Sequence, residues 1–389
     1  MTLRRSAPSN LALAMMSLAS VSRAGVWGTE PVIGIAADHS TNPALLQAHH
    51  SAETHAALLL DSPTTYNADA VKFSVLPSFR FSDSAGYSSL ASNYARLNVL
   101  GEIDDERDSL SASGGISRDS SLYHDYIFNG SFGVRRDTAT ADVKWDRALT
   151  ERSDVSIDVN SQRVRYGHSS GAAVLTDYSY SSAVPALSWQ MSERTKLTVS
   201  GGAGLYQSLD GATKSVNTNL ALGFVRQLTE LWALTANAGI SKETDQFRRT
   251  FGTLKSTNNG TVFKASLTRQ ASLFSLSATA ARQLTPTGLA FLSRQDSYEL
   301  HAGYSYSERL RFAADARRVN SENPQFIGPA IRQRYSVVGL TTVWRWTEKW
   351  ALTANATYIT TTYAYTASNV AATELSLSLS RQFNRITLP

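Results

Sequence analysis

The chain has 389 residues, no cysteine, 42% hydrophobic and 10% aromatic residues, and 37 basic against 32 acidic side chains for a net charge of +5. Without cysteine there can be no disulfide, thiolate metal site, cysteine nucleophile or lipid anchor on cysteine. The charges are interspersed rather than blocked, which argues against nucleic acid as a partner despite a pI near 9.3. No apolar run approaches the roughly 20 residues that a membrane-spanning helix needs, so a helical membrane protein is excluded.

At the N-terminus, Arg4 and Arg5 precede an apolar stretch from Leu11 to Val21 and then Ser22-Arg23-Ala24. Positive start, short apolar middle and small residues at the end describe a secretory signal, residues 1–24, with the mature chain at 25–389. The other reading of this stretch is a short core helix.

Beyond it the chain repeats. WALTANA occurs at 232–238 and again at 350–356, each preceded by Thr-Glu (Thr229-Glu230, Thr347-Glu348). Looser forms are Leu149-Thr150-Glu151-Arg152, Met191-Ser192-Glu193-Arg194 and Tyr306-Ser307-Glu308-Arg309, with weaker ones at Asp105-Glu106-Arg107 and Thr268-Arg269-Gln270. Centres at 106, 151, 193, 230, 269, 308 and 348 are separated by 37 to 45 residues, so one supersecondary unit is reused along the chain. After each polar knot comes strict alternation: Trp350, Leu352, Ala354, Ala356 and Tyr358 take one parity, Thr353, Asn355 and Thr357 the other. Period two means a strand with an apolar and a polar face. These runs last ten or more residues, against about five or six in soluble domains. The unit is therefore a transmembrane hairpin, and export plus such hairpins predicts an all-β, antiparallel barrel in the outer membrane of a Gram-negative bacterium.

In chain order, Pro31–His39 is a candidate first strand, 44–52 a loop carrying His49 and His50, Thr54–Leu60 a candidate second strand and Ser62-Pro63-Thr64-Thr65 a turn. Residues from Gly25 to Glu30, with Trp27, read as a short leader. Ala70–Phe81 alternates clearly, with Pro77 expected at a bulge, and Tyr94–Ile103 returns. Later strands are expected at Ser109–Ser120, Val134–Leu149, Ser153–Tyr166, Tyr178–Met191, Thr195–Tyr206, Val216–Leu228, Leu231–Lys242, Thr257–Thr268, Ser272–Gln283, Ser297–Tyr306, Leu310–Val319, Arg334–Trp346, Lys349–Tyr363 and Ala372–Phe383. The total is 18 strands, or 16 without the first hairpin. Short knots on one side and longer Gly/Asn/Ser/Asp-rich connections on the other give periplasmic turns, external loops and both termini in the periplasm. A propeller also repeats at about 40 residues but needs four short strands per unit. An autotransporter would carry a passenger before its strands.

Six of the seven tryptophans (Trp145, Trp189, Trp232, Trp344, Trp346, Trp350) lie near a knot, as an interfacial girdle would place them. The last strand, Leu375, Leu377, Leu379, Arg381 and Phe383 against Ser376, Ser378 and Ser380, resembles the assembly signal of outer-membrane barrels. That resemblance implies the barrel assembly machinery as a partner, although Arg381 interrupts the apolar face and six residues follow Phe383. The polar faces, such as Asp142, Lys144 and Asp146, or Ser156, Asp158, Asn160 and Gln162, or Arg311, Asp315 and Arg317, are assigned to a hydrated lumen without strong ion selectivity. No HExxH spacing, phosphate loop or suggestive carboxylate pair is present. His49, His50 and His55 are grouped only loosely, and His124-Asp125 falls in the expected loop Tyr123–Gly133. No catalytic, cofactor or metal residue is assigned.

Between Val71 and Tyr166 the segments SVLPSFRFSDS (74–84), SRDSSL (117–122), GVRR (133–136) and LTER (149–152) resemble the β-barrel porins encoded near bacterial exopolysaccharide clusters, as does DHSTNPAL (38–45). The resemblance implies an outer-membrane barrel with outer-membrane lipid around it, polysaccharide as a solute and periplasmic export components as partners. The function expected is passive passage of hydrophilic solutes. The alternatives are a non-conducting barrel that anchors or scaffolds an envelope complex, and an outer-membrane hydrolase.

Overall fold

The computed structural model describes residues 25–43, 45–46, 51–83, 93–120, 134–167, 175–249, 252–322, 332–362 and 369–388. Residues 1–24, read above as a secretory signal, and His49, His50 and His124-Asp125 lie outside them. Among the described residues there is no helix, and 21 β-segments succeed one another. The first five are β1 (Val26–Thr29), β2 (Val32–Ser40), β3 (Glu53–Asp61), β4 (Thr64–Ala68) and β5 (Val71–Ser82). Then come β6 (Tyr94–Asp104), β7 (Asp108–Ser120), β8 (Arg135–Thr150), β9 (Ser153–Tyr166), β10 (Tyr178–Ser192), β11 (Thr195–Ser208), β12 (Thr213–Gln227) and β13 (Trp232–Arg249). The last are β14 (Gly252–Gln270), β15 (Phe274–Pro286), β16 (Leu292–Ser305), β17 (Leu310–Glu322), β18 (Arg332–Arg345), β19 (Trp350–Thr362), β20 (Asn369–Gln382) and β21 (Ile386–Leu388).

From β5 to β20 each strand pairs antiparallel with the next, β2 pairs with β3 and β3 and β4 with β5, and β2 pairs with β20, so the sheet closes. β1 and β2 are one wall strand interrupted at Glu30-Pro31, and β3 and β4 are one interrupted at Ser62-Pro63. Register carries straight across both gaps: Trp27 faces Tyr66 as Val32 faces Asp61, and Asp61 faces Ser78 as Thr64 faces Val75. β21 continues β20 after a one-residue slip at Phe383–Arg385, with Ile386 opposite Thr29. The wall therefore has 18 strands, and the reading of 16 is excluded. Following the pairs once round returns to β2 displaced by about 22 residues. That stagger tilts the strands by roughly 40° and sets a backbone diameter on the order of 35 Å.

The first hairpin is phased differently from its sequence reading. Ser62-Pro63 is a break inside a strand, and the turn is Asp69-Ala70. The supposed leader belongs to the wall, and the chain after Phe383 returns to it as β21. Nor is Pro77 at a bulge: it faces Leu97 in regular register. Its carbonyl accepts from the Ser62 N–H at 3.3 Å, so the missing proline N–H faces the side where the ladder is already broken. Pro63 and Pro31 carbonyls likewise accept from Glu30 at 3.1 Å and Phe383 at 2.9 Å. Three prolines thus lie together on neighbouring strands at the closing seam.

The recurring Ser/Thr of the knots has a structural reason. Thr229 Oγ1 accepts from the N–H groups of Leu231 and Trp232, Thr347 Oγ1 from Lys349 and Trp350, and Ser307 Oγ from Arg309 and Leu310, at 3.1–3.3 Å. One hydroxyl caps two turn donors that have no ladder partner. These turns span two to four residues and share one end of the barrel with the start of β1 and the end of β21. The eroded copy at Thr268-Arg269-Gln270 is strand; its turn lies at Ala271–Leu273. At the other end β13 and β14 run on to 18 and 19 residues, absorbing the long loop expected between Lys242 and Thr257.

Parity is consistent round the wall. Trp232, Leu234, Ala236, Ala238 and Ile240 face outward on β13, a run of nine residues that rises roughly 22 Å at this tilt, close to the height of a membrane barrel's apolar band. Ile35, Leu222, Ile240 and Leu340 are 59–68% exposed, as lipid-facing side chains must be in a chain without its bilayer. The six knot tryptophans ring the short-turn end of this band, and Trp27 joins them, with Tyr66 at 5.0 Å and Phe73 at 6.1 Å between ring centroids. Arg381 does not break the belt: its guanidinium lies over Trp350 and Phe383, at 5.6 and 5.1 Å. Arg269 does the same over Trp232 and Phe274. A cation on aromatic faces at the headgroup level is favourable by about 0.5–1 kcal/mol.

Substitution separates the two faces. Leu222→Arg, at mid-band, should cost about 2–4 kcal/mol and reduce the folded, heat-modifiable fraction in detergent or vesicles, while inward Thr235→Arg should leave that fraction unchanged.

Candidate functional site: the narrowed lumen

The inward parity is almost wholly polar. Ser109, Ser111, Ser113 and Ser117 on β7, and Thr353, Asn355 and Thr357 on β19, are representative. The sequence-assigned lumen residues all lie on this face. Asp142, Asp146, Asp154 and Asp158 project inward from β8 and β9, and Asp142 accepts from Asn160 Nδ2. Lys144 answers Asp146 at 2.7 Å, and Lys196 from β11 answers Asp154 at 2.8 Å. Arg317 pairs with Glu299 at 3.1 Å and Asp315 with His301 at 2.5 Å. Arg80 pairs with Asp38, whose carboxylate also lies 3.8 Å from His55. Most lumen charge is therefore locally compensated. Inward Lys72 and Asp315 keep 60% and 55% of their side-chain surface exposed, so the lumen beside them is open to water.

One segment changes this picture. The β14–β15 ladder ends at Phe263–Arg282, while β13–β14 continues up to Arg249–Gly252. Gln283–Pro286 consequently leave β14 and, paired with Leu292 and Ser293, fold inward as a hairpin, while Arg294 at its base still pairs with Glu322 of β17. Leu292 is fully buried with Val164, Tyr178 and Tyr206, and Leu284, Tyr166 and Tyr180 pack around them. Tyr206 Oη donates to the Thr287 carbonyl at 3.1 Å, and the Thr176 N–H to the Gly288 carbonyl at 2.8 Å. The tip, Thr287–Phe291, is held by Thr287 Oγ1 donating to the Phe291 carbonyl at 2.8 Å, with Ala290 at φ 68°. A side chain at Gly288 would meet the Tyr166 phenol at 2.7–3.0 Å, so the tip sits close to that wall because it has none. Once the hairpin leaves the wall, the face of Leu284 and Leu292 that would have met lipid lies on the inner wall.

Beneath the hairpin the inward residues of β12 and β13 are closed off: Ser215 and Asp245 are fully buried and Glu243 nearly so. The Arg294 guanidinium, brought in by the hairpin, stands near the spot a side chain on Gly260 would fill, and its charge acts on Glu243. A second, smaller inward fold lies across the barrel, where Leu45 packs on Tyr335, Ile359, Val370 and Ala372. Asn42 braces it, with Oδ1 accepting from the Leu46 N–H at 2.9 Å. Both folds come from the long-loop end. Neither was foreseen; the trace in the sequence is the apolar run Leu289-Ala290-Phe291-Leu292 inside an expected solvent loop.

Among the described residues no three histidine or carboxylate side chains are placed to share a metal. His55 is inward and lies near Asp38, away from any such group.

No protein-family profile matches the chain, and no curated protein matches it in sequence. Solved structures do match in fold. The outer membrane protein OpdK from Pseudomonas aeruginosa aligns at 11% identity and TM-score 0.46 over 92% of this chain and 99% of that one. Acinetobacter baumannii OccAB3 aligns at 11% and 0.46 over 93% and 99%. The ferric citrate transporter FecA, unliganded, aligns at 8% and 0.50 over 92% and 78%. The chain has the fold of outer-membrane β-barrels, and its apolar belt and girdle fit an outer-membrane location.

Removing the hairpin's anchor or the hairpin itself should widen the lumen. Replacing Thr287–Phe291 by a two-glycine turn should raise single-channel conductance with the barrel still folded. Tyr206→Phe, which loses one hydrogen bond of about 1 kcal/mol, should increase current noise without changing the mean step.

Proposed function

We propose that the protein is a passive channel for hydrophilic solutes whose selectivity is set where the Gln283–Arg294 hairpin narrows the lumen. The observation that carries this is the contrast inside one barrel: inward charges such as Lys72 and Asp315 stay solvated, while Asp245 under the hairpin is fully buried. A wall strand pair spent on covering one side of the bore narrows it, while Lys72 and Asp315 elsewhere on the inner wall keep contact with water. A scaffold that used the barrel only as an anchor would need neither a solvated lumen nor a hairpin docked within it. The reading includes no catalytic step, cofactor or metal.

The finer part of the proposal is the solute. A wall of serine, threonine and asparagine with compensated charge offers donors and acceptors to neutral polyhydroxylated solutes and no strong field to ions. This supports saccharide as the class and an exported polysaccharide as the cargo, delivered by periplasmic export components at the short-turn end. Residues 1–24 would direct export, and the barrel assembly machinery would insert the chain by its last strand.

Conductance of the purified protein in planar bilayers tests this. Stable steps, reduced by oligosaccharides added to either side, are expected. Steps indifferent to sugar would leave a general porin, and no conductance from correctly folded protein would move the assignment to the scaffold.

A further inference from the structure

The outer face carries a charged patch that conduction does not use. Val164 is fully buried inside the lumen against the hairpin. Strand alternation therefore forces Arg163 and Arg165, its neighbours on β9, to point out of the barrel. Both are exposed. Arg165 faces Asp137 on β8, and Asp137 faces Arg118 on β7. Arg118 forms a fork on Asp137, with Nε at 2.7 Å and Nη2 at 3.5 Å, and Arg135 Nε lies 3.4 Å from the same carboxylate. Arg118 and Arg135 thus hold one carboxylate between them, Arg165 faces it across the ladder, and Arg163 lies two residues further along β9 on the same outward face, so four guanidinium groups and one carboxylate gather on three adjacent strands.

The level of the patch matters as much as its charge. Arg163 stands four residues above Val159 and Arg118 two above Ile116, and Val159 and Ile116 are 42% and 60% exposed as the top of the apolar band. The patch therefore sits where hydrocarbon gives way to headgroups, at the long-loop end. The opposite face of the same strands is acidic, with Asp142, Asp154 and Asp158, so the basic excess is confined to the side that meets lipid. Guanidinium is planar, weakly hydrated and matched to the paired oxygens of a phosphate.

We propose that Arg118, Arg135, Arg163 and Arg165 form a binding site for the phosphate-bearing headgroup of a lipid in the leaflet at the long-loop end. One carboxylate against four cations leaves room for two phosphate charges, and Ile116 and Val159 receive the first part of the acyl chains. The site holds lipid against one side of the barrel and takes no part in solute passage, so it stands or falls independently of the channel reading.

The test is native mass spectrometry of the full barrel in detergent with diphosphoryl lipid A, compared with the same lipid after phosphate removal. The intact protein should retain the diphosphoryl form roughly tenfold better than the dephosphorylated one, and the preference should fade as salt is raised. Arg163→Ala with Arg165→Ala should abolish the preference, and Arg163→Lys with Arg165→Lys should keep part of it. Lys255→Ala, an exposed cation on β14, should change nothing. Equal retention of the two lipid forms by the intact protein would overturn the site without any variant. So would an undiminished preference in the folded double alanine variant, or displacement of the lipid by equimolar inorganic phosphate.

Discussion

The structure depends on one constraint: backbone N–H and C=O groups inside hydrocarbon have no water to bond to, at several kcal/mol for each group left bare. A sheet satisfies this only by closing, and here the first wall strand meets the last over Val32–Ser40 and Glu374–Gln382. Closure with both ends at the short-turn end requires an even number of strands. It also decides where irregularity is tolerated. Pro31, Pro63 and Pro77 each remove a ladder donor, and they lie beside one another on neighbouring strands, where each loss coincides with a break already present. The slip between β20 and β21 falls in the same region. The seam is thus the least regular part of the wall, and it stays paired through the carbonyls of those prolines.

Closure makes two faces with different solvents, and the chemistry follows. Outward positions hold apolar side chains, a tryptophan girdle and, at either margin, arginines whose stems lie on the belt while their heads reach the headgroups. Inward positions hold hydroxyls, amides and paired charges. The inserted hairpin is the exception that gives the lumen its shape. Peeling the end of β15 away from β14 costs its outer backbone groups a ladder partner, and burial of Leu284 and Leu292 among tyrosines offsets that cost. One fully buried leucine is favourable by about 1.5–3 kcal/mol. The hydrogen bonds of Tyr206 and Thr176 to the tip fix its position rather than its presence.

Much of this was legible in the sequence because the repeat records turn chemistry. Thr229, Thr347 and Ser307 recur since each caps two turn amides, and the alternation that follows records a bilayer on one side of the strand and water on the other. Where either signal weakens, the sequence and the structure part. Ser62-Pro63 has turn composition but interrupts a strand, which shifts the first hairpin about seven residues from its true turn at Asp69-Ala70 and hides Trp27 from the girdle. Beyond Lys242 both faces carry polar residues, the inward Glu243 and Asp245 closed off beneath the hairpin, so the two-face pattern fades and the long extension of β13 and β14 has the composition of a loop. The hairpin was invisible for a different reason. Leu284 and Leu292 keep the parity of lipid-facing residues, and alternation cannot distinguish a lipid tail from the ring of Tyr206 across the bore. The outward arginines are not legible as a group because Arg118 and Arg165 are distant in sequence and come to opposite sides of Asp137 only through strand pairing.

Because the chain contains no cysteine, closure can be tested with a single engineered pair. A Cβ on Gly34 would lie 3.3 Å from that of Ser380 across the seam, close to the separation a disulfide requires. In the folded protein, Gly34→Cys with Ser380→Cys should oxidise to an intramolecular bond that joins the two ends of the chain. The bond would show as a reducible mobility shift in denaturing gels, independent of protein concentration. Failure of the folded double variant to form this bond, or formation of crosslinked dimers instead, would contradict a barrel closed between its first and last strands.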